Sequence, residues 1–196
     1  MSTPDSAQDL RRTALFEAHQ RHGGKLVPFA GWEMPVQYSN GILAEHLQTR
    51  AAGGLFDVSH MGRFLFTGEG AHDFLQRLLT QNIERLEPGR AIYGLIAYPD
   101  GGTVDDSYLY MLAEKTYMLV VNAANIDKDY EYIEQLRQDG WADRVTMENR
   151  TEQVSMLALQ GPASEAVLRE KLEGFRIKGE LTEPGRNSLA VLDWDG

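Results

Sequence analysis

Two adjacent carboxylates, Asp105 and Asp106, lie in a stretch whose other residues are typical of a β-strand. Strand interiors disfavour Asp, so this pair indicates that at least one of the two carboxylates has a chemical role. A partly buried carboxylate can move protons near neutral pH, because burial raises its pKa unless hydrogen-bond donors compensate. Spacing alone leaves a second interpretation open, in which both side chains are solvated near the mouth of a hairpin.

The strand that carries these carboxylates follows a strong turn sequence, Pro99-Asp100-Gly101-Gly102. Proline fixes φ and glycine permits positive φ, so the pattern predicts a β-hairpin over about 91–112. Because side chains alternate along a strand, Asp106 is predicted to share a face with Val104, Tyr108 and Tyr110, and Asp105 a face with Ser107, Leu109 and Met111. We therefore expect Asp106 to be the partly desolvated carboxylate and Asp105 the one that remains in water.

The elements around this hairpin alternate irregularly between helices and short strands. Helices are predicted over 14–22, 42–52, 126–138 and 163–172, and strands near 25–29, 63–66, 117–121, 145–147, 155–160 and 189–192. The clearest helix has apolar residues at i, i+3, i+4, i+7 and i+8, namely Ala71, Phe74, Leu75, Leu78 and Leu79. The segment Gly31 to Pro35 is expected to interrupt regular structure, and Asn125 to cap the helix that follows it.

This order of elements predicts an α+β fold with antiparallel hairpins, a mixed sheet and packed helices. The length of 196 residues fits one large domain or two small intertwined ones. If there are two, we expect discontinuous subdomains formed by 1–60 with 148–196 and by 61–147.

Composition excludes several classes of function. The formal net charge of −10 argues against nucleic acid and anionic membrane surfaces as partners. The chain has no cysteine and only five scattered histidines, so neither a thiolate site nor a metal site is predicted. No apolar run is long enough to span a membrane, and the first twelve residues lack the apolar core of a secretory signal. We expect a cytoplasmic protein.

Six segments in this order resemble one enzyme family, the aminomethyltransferase (T-protein) of the glycine cleavage system. They are Leu15-Phe16-Glu17-Ala18-His19, Phe29-Ala30-Gly31-Trp32-Glu33-Met34-Pro35, Phe56-Asp57-Val58-Ser59-His60-Met61-Gly62, Gly101-Gly102-Thr103-Val104-Asp105-Asp106, Val120-Val121-Asn122-Ala123-Ala124-Asn125 and Leu159-Gln160-Gly161-Pro162. Each segment alone is modest, but six in order at family-like spacing are specific. The resemblance runs from about Leu15 to Pro162.

The resemblance implies tetrahydrofolate chemistry. In this family, the methylene of an aminomethyl group carried on the lipoyl arm of the H-protein passes to tetrahydrofolate, and ammonia leaves. The resemblance implies that Asp106 is the catalytic carboxylate near the pterin and that Met61, Tyr93 and Asn122 contact the folate. Tyr110, on the predicted face of Asp106, is expected to line the same pocket.

Each folate contact has a structural alternative. Met61 could be core filler, Tyr93 a cross-strand packing residue, and Asn122 a cap or turn residue. Ser107 departs from the aliphatic residue that the family usually has after the Asp pair. The family is also much longer than this chain, so we expect an N-terminal folate-binding portion of a larger enzyme.

Two other functions stay open within the same superfamily. One is a folate-dependent demethylase, and the other is a non-catalytic folate-binding accessory protein. The accessory group relies on a cysteine motif that does not occur in these residues. The intact segments around Met61 and Asp106 therefore favour the aminomethyltransferase.

Overall fold

The chain divides into two compact units. The structure, a computed structural model, describes residues 10–172, 176–178, 187 and 191–193. The first unit holds the described residues of Met1–His60 and Ser155–Glu170, and the second holds those of Met61–Val154 and Lys171–Gly196. All five residues predicted to bind folate lie in the second unit.

Helices and strands alternate along the chain. The helices are α1 (Phe16–Arg21), α2 (Gly41–Ala51), α3 (Ala71–Leu78), α4 (Ile126–Gln138) and α5 (Ser164–Leu172). The strands are β1 (Lys25–Phe29), β2 (Trp32–Gln37), β3 (Gly54–Asp57), β4 (Gly62–Thr67), β5 (Arg90–Ala97), β6 (Thr103–Ala113), β7 (Thr116–Val121), β8 (Thr146–Asn149), β9 (Leu157–Gln160), β10 (Arg176–Lys178) and β11 (Val191–Asp193).

The first unit contains two small antiparallel sheets, β1 with β2 and β3 with β9. The expectation that Gly31 to Pro35 interrupts regular structure was wrong, because Trp32–Gln37 forms a strand. Ala30 and Gly31 have φ of 49° and 80°, so they turn the chain into a hairpin. Pro35 is compatible with β2 because both strands of a two-stranded sheet are edges.

The second unit is built on a five-stranded antiparallel sheet in the order β5-β6-β7-β4-β8. Helices α3 and α4 supply apolar side chains to one face of this sheet. The buried core includes Phe64, Phe66, Phe74, Leu75, Leu78, Leu109, Leu119, Val121, Ile126 and Ile133. The remaining described strands, β10 and β11, pair antiparallel, and the predicted strand at 189–192 overlaps β11, its first two residues lying outside the described part.

The helix predictions hold because the apolar spacing was clear. Ala71, Phe74, Leu75 and Leu78 are buried along α3, as the pattern predicted. Helix α4 runs from Ile126 to Gln138, the predicted bounds. The side chain of Asn125 makes no capping hydrogen bond, however, because it donates to Asp105 instead.

The α+β class predicted from the sequence is confirmed. Every described pair of strands is antiparallel, and the one parallel contact is an isolated bridge between Arg11 and Trp32. Within the described ranges, no helix combines the length and apolar character needed to cross a bilayer.

Candidate functional site

A β-bulge shapes the strand that carries the two carboxylates. Asp105 pairs with Ile96 and Thr103 with Ala97, so Val104 is an extra residue on β6. A bulge breaks the strict alternation of side chains. Val104 and Asp105 are consequently both buried, each 5% exposed. The prediction that Val104 shares a face with Asp106 was wrong for this reason.

The burial predicted for the two carboxylates is reversed. Asp105 lies on the side of β6 that holds Ser107, Leu109 and Met111, and this side packs into the helix-covered core. Asp106 lies on the opposite face and is exposed. The sequence showed the alternation of side chains but not which face of the strand the helices cover.

Three of the predicted site residues lie at neighbouring positions across β6, β7 and β4. Ser107 pairs with Val121, and Val121 pairs with Gly62. The residues one step further along are Asp106, Asn122 and Met61. The amide nitrogen of Asn122 donates to Oδ1 of Asp106 at 2.8 Å. The carbonyl of Met61 accepts from the guanidinium of Arg63 at 2.5 Å, which fixes the backbone at the third position.

Tyrosines form the face beside Asp106. Tyr93 pairs directly with Tyr108 across β5 and β6, with ring centroids 6.3 Å apart. Tyr108 and Tyr110 follow on the same face at 5.3 Å. Tyr93 is 50% exposed, so its ring is available to a ligand. Desolvation, the charge of Asp106 and a hydrogen bond to Asp106 raise the pKa of Tyr93, which keeps its hydroxyl protonated.

On this face, Tyr110 is less exposed than Tyr93. Burial raises its pKa, and the neighbouring Tyr108 adds to the shift. The hydroxyl of Tyr108 donates to the side-chain oxygen of Asn187. The structure therefore brings Tyr93, Tyr110 and Asp106 onto one side of the sheet, and their roles in binding stay predictions.

Behind this face lies a second carboxyl group that the sequence interpretation missed. Asp129 of α4 is completely buried beside Asp105. Apart from the ion pair with Lys128, no donor among the described residues reaches its carboxyl oxygens, so the two carboxyl groups can hydrogen-bond only through a proton on one of them. Burial raises the pKa of Asp129 to about 7, the hydrogen bond and charge of Asp105 act in the same direction, and Lys128 opposes them. The available signal was its position, since Asp129 falls between Ile126 and Ile133 on the buried stripe of the helix.

The pKa of Asp105 is shifted in the opposite direction. Burial alone would raise its pKa, but hydrogen bonds from Asp129, Asn122 and Asn125 lower it overall. The amide nitrogens of Asn122 and Asn125 donate to Oδ1 at 2.9 and 3.0 Å. The backbone nitrogen of Asn122 donates to Oδ2 at 3.1 Å. Asn122 therefore contacts both carboxylates of the pair, one buried and one exposed.

The first unit contains its own buried polar cluster, centred on Asp57. Oδ2 of Asp57 accepts from the hydroxyl of Thr13 at 2.6 Å and contacts Nε2 of His19 at 2.9 Å. The backbone nitrogen of Ser59 donates to Oδ1 at 2.9 Å, and the hydroxyl of Tyr38 lies 2.8 Å from Nδ1 of His19. Burial would raise the pKa of Asp57, but its hydrogen bonds lower it. This cluster ties the start of the chain to β3.

A cavity of about 390 Å³ in the second unit is unrelated to the predicted site. It is lined mainly by aromatic and apolar side chains of α3, of α4 and of the segments that follow β5 and α4, including Phe74, Tyr98, Tyr132 and Trp141. None of the predicted folate contacts borders it. Within the described part of the chain, no three acidic or histidine side chains converge as metal ligands.

Comparison with known proteins gives a consistent result. The family model described as the GCVT N-terminal domain matches residues 15–179. Proteins named aminomethyltransferase from Chloroherpeton thalassium and Bacillus subtilis are 51% and 48% identical to this chain over 159 and 187 residues. These alignments cover 81% and 92% of this chain but only 43% and 50% of the relatives.

A solved structure shares the fold. The crystal structure of the glycine cleavage system aminomethyltransferase T from Bartonella henselae matches with a TM-score of 0.76 and 37% sequence identity. The match covers 83% of this chain and 44% of that protein. The chain thus spans about half the length of the relatives that it matches.

Proposed function

Because the chain belongs to the GCVT N-terminal domain family, we propose that it provides the folate-binding portion of an aminomethyltransferase of the glycine cleavage system. The reaction would move a methylene group from an aminomethyl-lipoyl arm to tetrahydrofolate and release ammonia. The names of the matched relatives support this assignment. The observation that carries it is the exposed carboxylate of Asp106 next to Asn122, on the tyrosine face of the sheet.

The residues on this face suit a folate. A pterin is a flat heterocycle with N–H donors and acceptors along its edges, so it needs an aromatic surface and polar groups that converge beside it. The half-exposed ring of Tyr93 offers the surface, and Asp106 offers an ionisable acceptor. We propose that Met61, Tyr93, Tyr110 and Asn122 bind the folate around Asp106.

Asp106 is the group that we propose acts in catalysis. Its exposure leaves the carboxylate reachable by a ligand, and the hydrogen bond from Asn122 holds it in a fixed orientation. A carboxylate held in this way can align a folate nitrogen for attack and accept its proton as the new bond forms. The protonated hydroxyl of Tyr93 would donate to the same carboxylate while the substrate binds.

The partners follow from the same assignment. The proposed donor of the one-carbon unit is the lipoylated H-protein, and the acceptor is tetrahydrofolate as a co-substrate, with no metal in the reaction. A cytoplasmic location is part of the proposal. The folate-dependent demethylase and the accessory protein gain no support, since the relatives compared are named aminomethyltransferases.

A transfer assay in the full-length protein tests this function. Aminomethylated H-protein and tetrahydrofolate would be supplied, and ammonia and methylenetetrahydrofolate would be measured together. The proposal expects both products in equal amounts from the wild type. Formation of neither product by a folded protein would contradict the proposal.

A further inference from the structure

The helix-covered side of the sheet contains a polar arrangement that the proposed reaction does not use directly. Asp129 is fully buried on α4 and faces Asp105 on β6. Among described residues, the charged groups around Asp129 are Asp105 and Lys128, whose Nζ lies 3.2 Å from Oδ1 of Asp129. Two carboxyl groups in contact cannot both be ionised without strong repulsion.

The hydrogen-bond inventory assigns the proton of this pair to Asp129. Asp105 already accepts three N–H groups, from the amides of Asn122 and Asn125 and from the backbone of Asn122. These donors favour a carboxylate at Asp105. Apart from Lys128, no donor within the described residues hydrogen-bonds to Asp129. A hydrogen bond between the two carboxyl groups therefore needs the proton on Asp129.

The hydrogen bonds to the two carboxylates also fix the orientation of the side-chain amide of Asn122. Its nitrogen lies 2.9 Å from Oδ1 of Asp105 and 2.8 Å from Oδ1 of Asp106. An amide group has two hydrogens, so these two acceptors use both. The flipped orientation would aim the amide oxygen at two carboxylates and is excluded by repulsion. Only the side-chain oxygen of Asn122 is left for a ligand, and the ligand must then supply an N–H or O–H donor to it.

We propose that Asp129 is a positioning residue, whose proton holds Asp105 as the acceptor that orients Asn122 against Asp106 at the ligand face. The residues act in sequence: Asp129 donates to Asp105, Asp105 accepts from Asn122, and Asn122 donates to Asp106. Loss of the proton from Asp129 sets two negative charges against each other and loosens Asn122. The ligand would then meet Asp106 in a less defined orientation.

Nuclear magnetic resonance of this chain tests the relay without any folate. The side-chain amide signals of Asn122 would be followed from pH 5 to pH 9 in the wild type, in Asp129→Asn and in Asp127→Asn. Asn at position 129 is a neutral donor of the same shape as protonated Asp. Asp127, on the same helix, is exposed and serves as the charge-matched control.

The proposal expects the amide signals of Asn122 to titrate near neutral pH in the wild type and in Asp127→Asn, and to be constant in Asp129→Asn. No titration in the wild type would overturn it. Persistence of the titration in Asp129→Asn would also overturn it, because another group would then be responsible.

A second readout uses the full-length protein and rests on the proposed function. In the transfer assay at pH 6, Asp129→Asn is expected to have the same KM for tetrahydrofolate as the wild type. When the pH is raised above 7, the activity of Asp129→Asn is expected to fall less than the activity of the wild type. Asp129→Leu, which cannot donate, is expected to raise this KM about tenfold, the size of a lost hydrogen bond. If Asp129→Asn is as impaired as Asp129→Leu, the proton has no positioning role. If no variant or wild type transfers the group, the proposed function fails, while the magnetic resonance result still decides the relay.

Discussion

The side-chain amide of Asn122 donates to Asp106 in β6, and the same amide nitrogen also donates to Asp105, which lies on the other face of the sheet. The two faces of the sheet are thus connected by one side chain. A buried residue on the helix side can influence the exposed carboxylate without touching a ligand.

Tyr93 is predicted to bind the ligand through its ring. Tyr93→Ala should weaken tetrahydrofolate binding about fivefold to tenfold, because an aromatic contact of this kind contributes about 1 kcal/mol. Tyr93→Phe keeps the ring and loses only the hydroxyl contact with Asp106, so its affinity should fall by a smaller factor. Calorimetric titration of the wild type and both variants measures this. Equal losses in the two variants would show that the hydroxyl, not the ring, is the binding group.

The ionisation of Asp129 should make the stability of the chain depend on pH. Its pKa is raised to about 7 in the folded protein, against about 3.9 for an unfolded Asp. The folded state therefore binds more protons between these values, so the contribution of Asp129 to stability is fully present below about pH 4 and is lost as the pH rises towards 7. The slope from one proton is at most about 1.4 kcal/mol per pH unit.

Urea unfolding at several pH values between 4 and 7 measures that slope. Asp105 does not cancel it, because a lowered pKa adds stability above about pH 4 that is constant across this range. The difference in unfolding free energy between the wild type and Asp129→Asn should change with pH at the rate expected for the uptake of one proton. If the unfolding free energies of the two proteins changed with pH in parallel, Asp129 would be ionised at acidic pH in the folded state.

Gly62 lies where β4 meets β7 and the start of α4. A Cβ at this position would come within 2.5 Å of Cγ2 of Val121 and 2.9 Å of Cγ1 of Ile126. Gly62→Ala should destabilise the protein by about 1–3 kcal/mol, the usual cost of overpacking a core. Gly102→Ala at the hairpin tip is the control, since its Cβ would meet only side-chain atoms at 3.2 Å or more, the carboxylate of Asp100 at 3.2 Å and the ring of Tyr98 at 3.5 Å. Thermal unfolding compares the two, and an equal effect would contradict the close packing around Gly62.

Asp57 should stabilise the first unit. Asp57→Ala leaves the hydroxyl of Thr13, the ring of His19 and the backbone nitrogen of Ser59 without their buried acceptor. The expected loss of stability is about 3 kcal/mol. Glu17→Gln, on the exposed surface of α1, should change stability by less than about 0.5 kcal/mol.

The pH dependence of this cluster has the opposite sign to that of Asp129. Because the pKa of Asp57 is lowered, its contribution is present above the pKa of an unfolded Asp and is lost as the pH falls through the folded value. The difference in unfolding free energy between the wild type and Asp57→Ala should therefore shrink below about pH 4. A difference that is constant down to pH 2 would show that Asp57 is not ionised in this cluster.

Local patterns predicted much of the fold. The turn at Pro99 to Gly102 indicated the β5–β6 hairpin, and apolar spacing indicated α3 and α4. Strand β2 was missed because Pro35 looked like an interruption, although an edge strand tolerates proline. The bulge at Val104 could not be predicted, since it depends on how Ile96 and Ala97 pair with the partner strand.

The site was predicted less completely than the fold. Asp106 was predicted first from the alternation of side chains along its strand and then from the family resemblance, whereas Asn122 came from the resemblance alone. The structure brings the two side chains into contact. The burial of Asp105 was missed because alternation does not reveal which face a helix covers. Asp129 was missed because an acidic residue in the first turn of a helix is usually solvated and favoured by the helix dipole. Only the packing of α4 on the sheet reveals the contact between the two carboxyl groups.

The central claim is that the face around Asp106 binds tetrahydrofolate. Calorimetric titration of tetrahydrofolate into the wild type, Asp106→Asn and Asp143→Asn tests it most directly, with unfolding curves to verify that all three are folded. Asp143 is exposed, so its variant controls for the change in charge. The claim predicts that Asp106→Asn weakens binding at least tenfold while Asp143→Asn binds like the wild type. Equal affinity of all three proteins for tetrahydrofolate would contradict it.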